Sequence, residues 1–125
     1  MLIEKMNPDF VFDDDRGRIV QLVHDGYKQV NTVFSKKGAV RGNMHYHTVN
    51  NELFYIVHGS VLLKARKDGE QEQYIFESGD MFLVKKGVRH HFEFLSDTQL
   101  IGLYDVGVEI DGKKDIFTDE SIVQP

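Results

Sequence analysis

Cysteine and tryptophan are both missing from this sequence, and proline occurs only twice. Without cysteine there can be no disulfide framework, thiolate zinc site, iron-sulfur cluster or cysteine nucleophile. Long apolar runs are lacking too. No stretch approaches the ~18 uncharged residues that a membrane-spanning helix needs, and the opening MLIEKMNPDF places Glu4 and Lys5 where a secretory leader would be apolar. The reading is a cytoplasmic chain without membrane contact. Clustered positive charge is the next absence: 15 Lys and Arg stand against 20 Asp and Glu for a net charge of -5, with both signs mixed along the chain. A nucleic-acid footprint needs basic residues gathered on one face, so nucleic acid is not an expected partner. Finally, no window sustains helical apolar spacing over three turns without meeting a glycine, which leaves room for a short turn of helix at most.

What is present points to strands. The chain has 125 residues, 41% of them hydrophobic, the size of one domain, 1–125, that can fold without a disulfide or a metal. A metal site would therefore serve function. Eleven glycines separate short runs rich in Val, Ile, Phe and Tyr: Ile19 to Val23, Gln29 to Phe34, Leu53 to Val57, Val61 to Arg66, Gln73 to Phe76, Met81 to Val84, His90 to Leu95 and Leu100 to Asp105. Asp68-Gly69 between two of them is a strong two-residue hairpin signal. The expected fold class is all-β, an antiparallel sandwich or barrel of the jelly-roll kind. Residues 1–8 and 118–125 read as an N-terminal arm and a C-terminal tail. Such free ends, together with apolar edge strands, favour a homodimer.

Chemistry gathers around four of the six histidines. Alternate residues of a strand share a face, so His45 and His47 project together with Tyr46 on the other side. Glu52 follows the polar Thr48-Val49-Asn50-Asn51, which can turn the chain and carry its carboxylate back beside the imidazoles. Two imidazoles and a carboxylate suit a divalent ion such as zinc, iron, manganese or nickel. Taken alone, a His-x-His pair also suits a half-exposed strand with no ligand. The surrounding spacing adds to it: Gly59 lies seven residues after Glu52, and Gly79, Gly87 and His90 form a second set.

From Gly38 to Phe94 the chain resembles the cupin superfamily. Its first motif, a glycine, His-x-His, a glutamate and a glycine, is matched by Gly38, His45, His47, Glu52 and Gly59; its second by Gly79, Lys85-Lys86-Gly87 and His90. The departures are one extra residue between Gly38 and His45, Lys85 in place of proline and Phe94 in place of asparagine. The resemblance implies a small jelly-roll barrel (a double-stranded β-helix) holding one divalent metal on His45, His47, Glu52 and His90.

A narrower likeness lies in Asp14-Asp15-Arg16-Gly17 and Arg41-Gly42-Asn43-Met44-His45-Tyr46-His47, which are similar to stretches in cupins that epimerise or isomerise nucleotide sugars and in capsular-polysaccharide cupin domains. It implies a reaction beside a sugar carbonyl and an anionic small-molecule substrate, with Arg41 on the diphosphate, since a guanidinium fork matches phosphate oxygens. Met44 is an insertion relative to that pattern and decides, through strand parity or a bulge, which face Arg41 occupies. Further candidates are Lys85 and Arg89 as cations for that substrate, with a solvated turn as the alternative. His58, sharing parity with Glu52, Phe54 and Ile56, and Tyr46, Tyr55, Tyr74 or Tyr104 are candidates for proton transfer, with strand packing as the alternative. Two other functions compete: a metal cupin that binds or senses a ligand without turnover, and an iron-dependent dioxygenase.

Overall fold

The computed structural model describes residues 1–110 and 113–119, and every regular element in them is a strand. Among these residues no helix is long and apolar enough to cross a membrane. In chain order the strands are β1 (Ile3–Met6), β2 (Phe10–Asp14), β3 (Gly17–Gln21), β4 (Gln29–Ser35), β5 (Val40–His45), β6 (Glu52–His58), β7 (Ser60–Lys67), β8 (Glu70–Glu77), β9 (Met81–Val84), β10 (Arg89–Phe94), β11 (Thr98–Tyr104), β12 (Glu109–Ile110) and β13 (Lys113–Lys114). A five-stranded antiparallel sheet, β1-β9-β6-β11-β4, faces a four-stranded one, β5-β10-β7-β8. All-β is therefore the fold class.

The hairpin signal is realised. Lys67 pairs with Glu70 across a loop of Asp68 and Gly69, whose φ angles of 51° and 81° are the two positive values that a twisted two-residue connection requires. The eight expected strands match β3, β4 and β6 to β11 with ends shifted by a few residues, because pairing extends each ladder past its apolar run.

Segment 1–8, expected to be an arm, instead supplies β1. Ile3 stands opposite Val84 and is 1% exposed, so this segment is an edge strand with its own place in the core. Of the expected tail, residues 120–125 lie outside the described residues, while Thr118 is buried.

Between the sheets, most inward positions of β6, β7, β8, β9 and β10 are apolar, Glu52 of β6 and His90 of β10 being exceptions. Phe54, Ile56, Val61, Leu63, Phe76, Phe82, Val84, Phe92 and Phe94 form one core with Ile3 and Leu100. Phe82 stacks on Phe76 at 4.1 Å between ring centroids and on Phe54 at 5.2 Å. On the opposite side of the five-stranded sheet, Leu53, Met81 and Leu103 are covered by Leu22, Val23 and Tyr27 of the β3–β4 connection. The inward positions of β4 are different. Gln29, Asn31 and Ser35 stand there with one apolar residue, Val33, and alternate with outward Val30 and Phe34, and the polar side chains do not close-pack with the aromatic cluster. The barrel is packed on its β7–β9 side and hollow on its β4–β5 side.

Candidate metal centre

The hollow is a cavity of about 650 Å³ lined by β4, β5, β6, β10 and β11. Phe54, Phe92, Phe94 and Leu100 give it an apolar wall, and Gln29, Asn31, Arg41, His45, Glu52 and Tyr104 supply polar groups.

At one end, His45, His47, Glu52 and His90 each contribute a ligand-type atom, and all four atoms lie within 4.8 Å of one another. Each side chain arrives from a different local cause. Glu52 opens β6 facing inward, directly opposite Tyr104. His90 lies on β10 between Ala65 of β7 and His45 of β5, completely buried. His47 follows the end of β5, where Tyr46 is held by paired backbone hydrogen bonds to Phe117.

The hydrogen bonds fix which ring nitrogens face inward. His47 Nδ1 lies 2.6 Å from the Asp115 carbonyl and His90 Nδ1 lies 3.0 Å from the Val88 carbonyl. A carbonyl only accepts, so both Nδ1 atoms carry the proton and both Nε2 atoms turn toward the cluster. There His47 Nε2 is 3.2 Å from Glu52 Oε1, His90 Nε2 is 3.7 Å from the same oxygen, and the Nε2 atoms of His45 and His90 are 2.8 Å apart. His45 Nδ1 is buried and has no hydrogen-bond partner among the described residues. Lone pairs thus converge on one small volume, which requires either shared protons or a cation between them.

The electrostatics follow from this crowding. Burial and then the charges of His90 and His47 push His45 down to about 3. For His47, burial opposes protonation, but the Glu52 carboxylate and the Asp115 carbonyl outweigh it and raise its pKa. For Glu52, burial favours the neutral acid, but hydrogen bonding and charge from His47 and His90 win and hold the carboxyl below its ordinary range. Tyr104 lies edge-on to His47 at 5.2 Å between centroids. Burial and the Glu52 charge keep its phenol protonated far above the usual range.

The set fits a divalent ion: three imidazoles and a carboxylate, with the outer nitrogens of two imidazoles anchored on carbonyls, are the ligand chemistry and outer-shell support such ions need.

The other sequence candidates lie elsewhere or in part elsewhere. His58 does not reach the interior. His58 pairs with Gln99 whereas Ile56 pairs with Leu100, so one extra β6 residue, Val57, bulges out and turns His58 to the exposed side at the far end of the strand from Glu52. Tyr46 faces away from the cavity, with the Arg89 guanidinium 4.1 Å above its ring. Arg89 also pairs with Asp119, and Lys85 pairs with Glu4 2.6 Å away, so both cations are engaged outside the cavity wall. Tyr55 and Tyr74 pack against apolar clusters. Arg41 does line the cavity. It stands opposite Phe92 while His45 stands opposite His90, so four β5 steps match two on β10. The surplus is taken up by Gly42, Asn43 and Met44, all at positive φ, and a Cβ on Gly42 would lie 2.8 Å from the His90 carbonyl oxygen. Arg41 Nε donates to Ser35 Oγ at 2.7 Å.

Asp115 went unnoticed in the sequence. Its carboxylate accepts from the Thr48, Val49 and Asn50 amides, the Thr48 hydroxyl and the Asn50 side chain at 2.7 to 3.0 Å. It lies 63 positions beyond Glu52 with no motif around it, so its sequence carried no signal. Gln29 and Asn31 did carry one, as polar residues alternating within an apolar strand.

No curated protein matches the chain at a significant level. Solved structures do. A variant of the 3,4-ketoisomerase QdtA from Thermoanaerobacterium thermosaccharolyticum, in complex with TDP-4-keto-6-deoxyglucose, is 12% identical with a TM-score of 0.81, covering 95% of this chain and 88% of that one. A 3,4-ketoisomerase from Helicobacter canadensis is 16% identical with a TM-score of 0.81, covering 96% and 92%. The rmlC epimerase from Mycobacterium tuberculosis is 19% identical with a TM-score of 0.74, covering 94% and 68%. At such identities these likenesses establish the jelly-roll fold. The family follows from the sequence match itself: residues 32–105, more than half of the chain, fit the cupin domain model, and the chain belongs to the cupin domain family.

Proposed function

We propose that this protein is a metal-binding cupin that isomerises or epimerises a nucleotide-linked sugar beside a carbonyl group. The observation that carries the reading is the convergence of His45, His47, Glu52 and His90 at one end of a cavity of about 650 Å³. Structural neighbours whose substrates are TDP sugars add support of the weaker, fold-level kind.

In this reading His45, His47, Glu52 and His90 hold one divalent ion, which when bound supplies a positive charge for the carbonyl oxygen of the substrate. The chain's own groups do the rest. Arg41, steadied by Ser35, offers its remaining guanidinium donors to an anionic portion of the substrate at the cavity rim. Gln29 and Asn31 donate and accept hydrogen bonds to hydroxyls, and the aromatic wall excludes water behind the sugar. Tyr104, kept protonated by burial beside Glu52, is the phenol placed to hold a proton toward a substrate oxygen as negative charge develops there. It replaces His58 and Tyr46 in that role.

The test is incubation of metal-supplied protein with 4-keto sugar nucleotides in heavy water. Deuterium entering a carbon next to the ketone supports the reading. No label above the protein-free control across several sugars rejects it and leaves a ligand-binding cupin. Oxygen uptake with ferrous iron instead of exchange would identify an oxygenase.

We also propose a homodimer. Its support is the apolar surface left open on the β2–β3 hairpin and β4, where Phe10, Phe12, Ile19, Val30 and Phe34 are 44 to 62% exposed.

A further inference from the structure

We infer that Asp115 is a positioning residue for the metal centre: it clamps the turn 48–50 with its side chain and fixes the His47 ring with its own carbonyl. This rests on the metal-binding reading above, and it extends the site to the C-terminal strap 113–119, which no cupin motif includes.

Asp115 makes two kinds of contact with the segment that carries His47. Its carboxylate gathers five donors from Thr48, Val49 and Asn50, and its main-chain carbonyl takes the proton of His47 Nδ1 at 2.6 Å. One residue therefore sets where the chain runs after His47 and how the imidazole is oriented on it. The Asn50 side chain ties the same carboxylate to the Gly107 carbonyl and, through its oxygen, to the Val106 and Gly107 amides. The strap itself is pinned on both sides. The Asp115 amide donates to the Val108 carbonyl, Phe117 pairs with Tyr46, and Asp119 binds Arg66 and Arg89.

The consequence for the ligand is specific. Free histidine favours the proton on Nε2, the nitrogen that must be bare to bind a cation. The Asp115 carbonyl reverses that preference by holding a proton on Nδ1, so Nε2, 3.2 Å from Glu52 Oε1, is the nitrogen left to release its proton and take a cation. His90 obtains the same service locally from Val88, two residues away on its own strand approach. His47 obtains it from 68 residues away, so its orientation depends on the strap being seated. Outer-shell partners of this kind typically alter metal affinity 10- to 100-fold when removed.

The experiment compares wild type, Asp115→Asn and Asp119→Ala, the last loosening the strap at a point that does not touch the 48–50 turn. The ring nitrogens of His47 are followed by ¹⁵N magnetic resonance in metal-free protein at a pH high enough that the ring is neutral, and zinc affinity is measured by chelator competition. Expected are a proton on His47 Nδ1 in wild type, a shift toward the Nε2 form in Asp115→Asn, and zinc binding weakened about 10-fold or more in that variant but no more than about 2-fold in Asp119→Ala. The inference is overturned if His47 in wild type already carries its proton on Nε2, if Asp115→Asn leaves both ring and affinity unchanged, or if the two variants weaken zinc equally. Should Asp115→Asn fail to fold, the wild-type ring measurement still decides. Should wild type bind no zinc, the metal reading fails while the ring measurements continue to test the role of Asp115.

Discussion

At the scale of single residues, four lone-pair donors sit closer together than they tolerate without positive charge between them. Glu52 is the one anion among them, so Glu52→Gln removes the charge that a cation would neutralise. It is expected to lower metal occupancy by at least about 100-fold, and His47→Ala to do the same; elemental analysis of dialysed protein is the check. Wild-type metal content in His47→Ala would remove that residue from the site. His45 gives a separate expectation for the metal-free protein. Its folded pKa, about 3, lies below the ordinary histidine value of 6.5, so between those values the unfolded chain binds more protons than the folded one. Stability from this group is therefore complete above pH 6.5 and declines as pH falls toward 3, by at most about 1.4 kcal/mol per pH unit. Urea titrations across that range should show the slope, and His45→Gln should reduce it.

At the scale of elements, most strands were legible because apolar runs bounded by glycine report burial directly, as in Val61 to Arg66 and Met81 to Val84. What escaped was pairing. Ile3 to Met6 looked like an arm since one short strand has no signal apart from the neighbour, β9, that accepts it. His58 seemed inward by counting in twos, and the count failed at Val57, where β6 bulges against β11. Near the site, the irregular stretch of β5 takes up two surplus residues between Arg41 and His45 and, with the even spacing that Met44 gives them, leaves both facing the cavity. Gly42 is its pivot: at φ 93°, with His90 carbonyl oxygen 2.8 Å from where a Cβ would sit, a side chain is both strained and in collision with the strand bearing a ligand. Gly42→Ala is expected to cost about 1–3 kcal/mol in chemical denaturation. It should also weaken metal binding, whereas a Gly69→Ala change at the distant hairpin should cost about 1 kcal/mol and leave binding alone.

At the scale of the whole molecule, the barrel divides into a packed half that provides stability and a hollow half that provides a site. Phe82 is completely buried at the centre of the packed half, stacked between Phe54 and Phe76. Phe82→Ala is expected to lower unfolding stability by about 3–5 kcal/mol, read from the denaturation midpoint. Assembly is the other property at this scale. Light scattering should give twice the chain mass of 14.4 kDa, and charged substitutions at Phe12 and Phe34 should return the monomer. A monomer persisting at high micromolar concentration would reject the dimer.

The all-β class and the grouping of His45, His47 and Glu52 could be read from the sequence by itself, because strand alternation, glycine turns and the His-x-His to Glu interval are local properties carried by nearby residues, and resemblance to the second cupin motif added His90. The tertiary structure decided which of the remaining polar residues belong with them. Lys85 and Arg89 lay beside a motif yet are drawn off by Glu4 and Asp119, while Tyr104 and Asp115 lay far along the chain yet meet His47. Contacts of that kind depend on strand register, on bulges that reverse a side chain's face and on a C-terminal strap crossing the end of β5. None of these has a local signature, since each is set by how two distant segments pair.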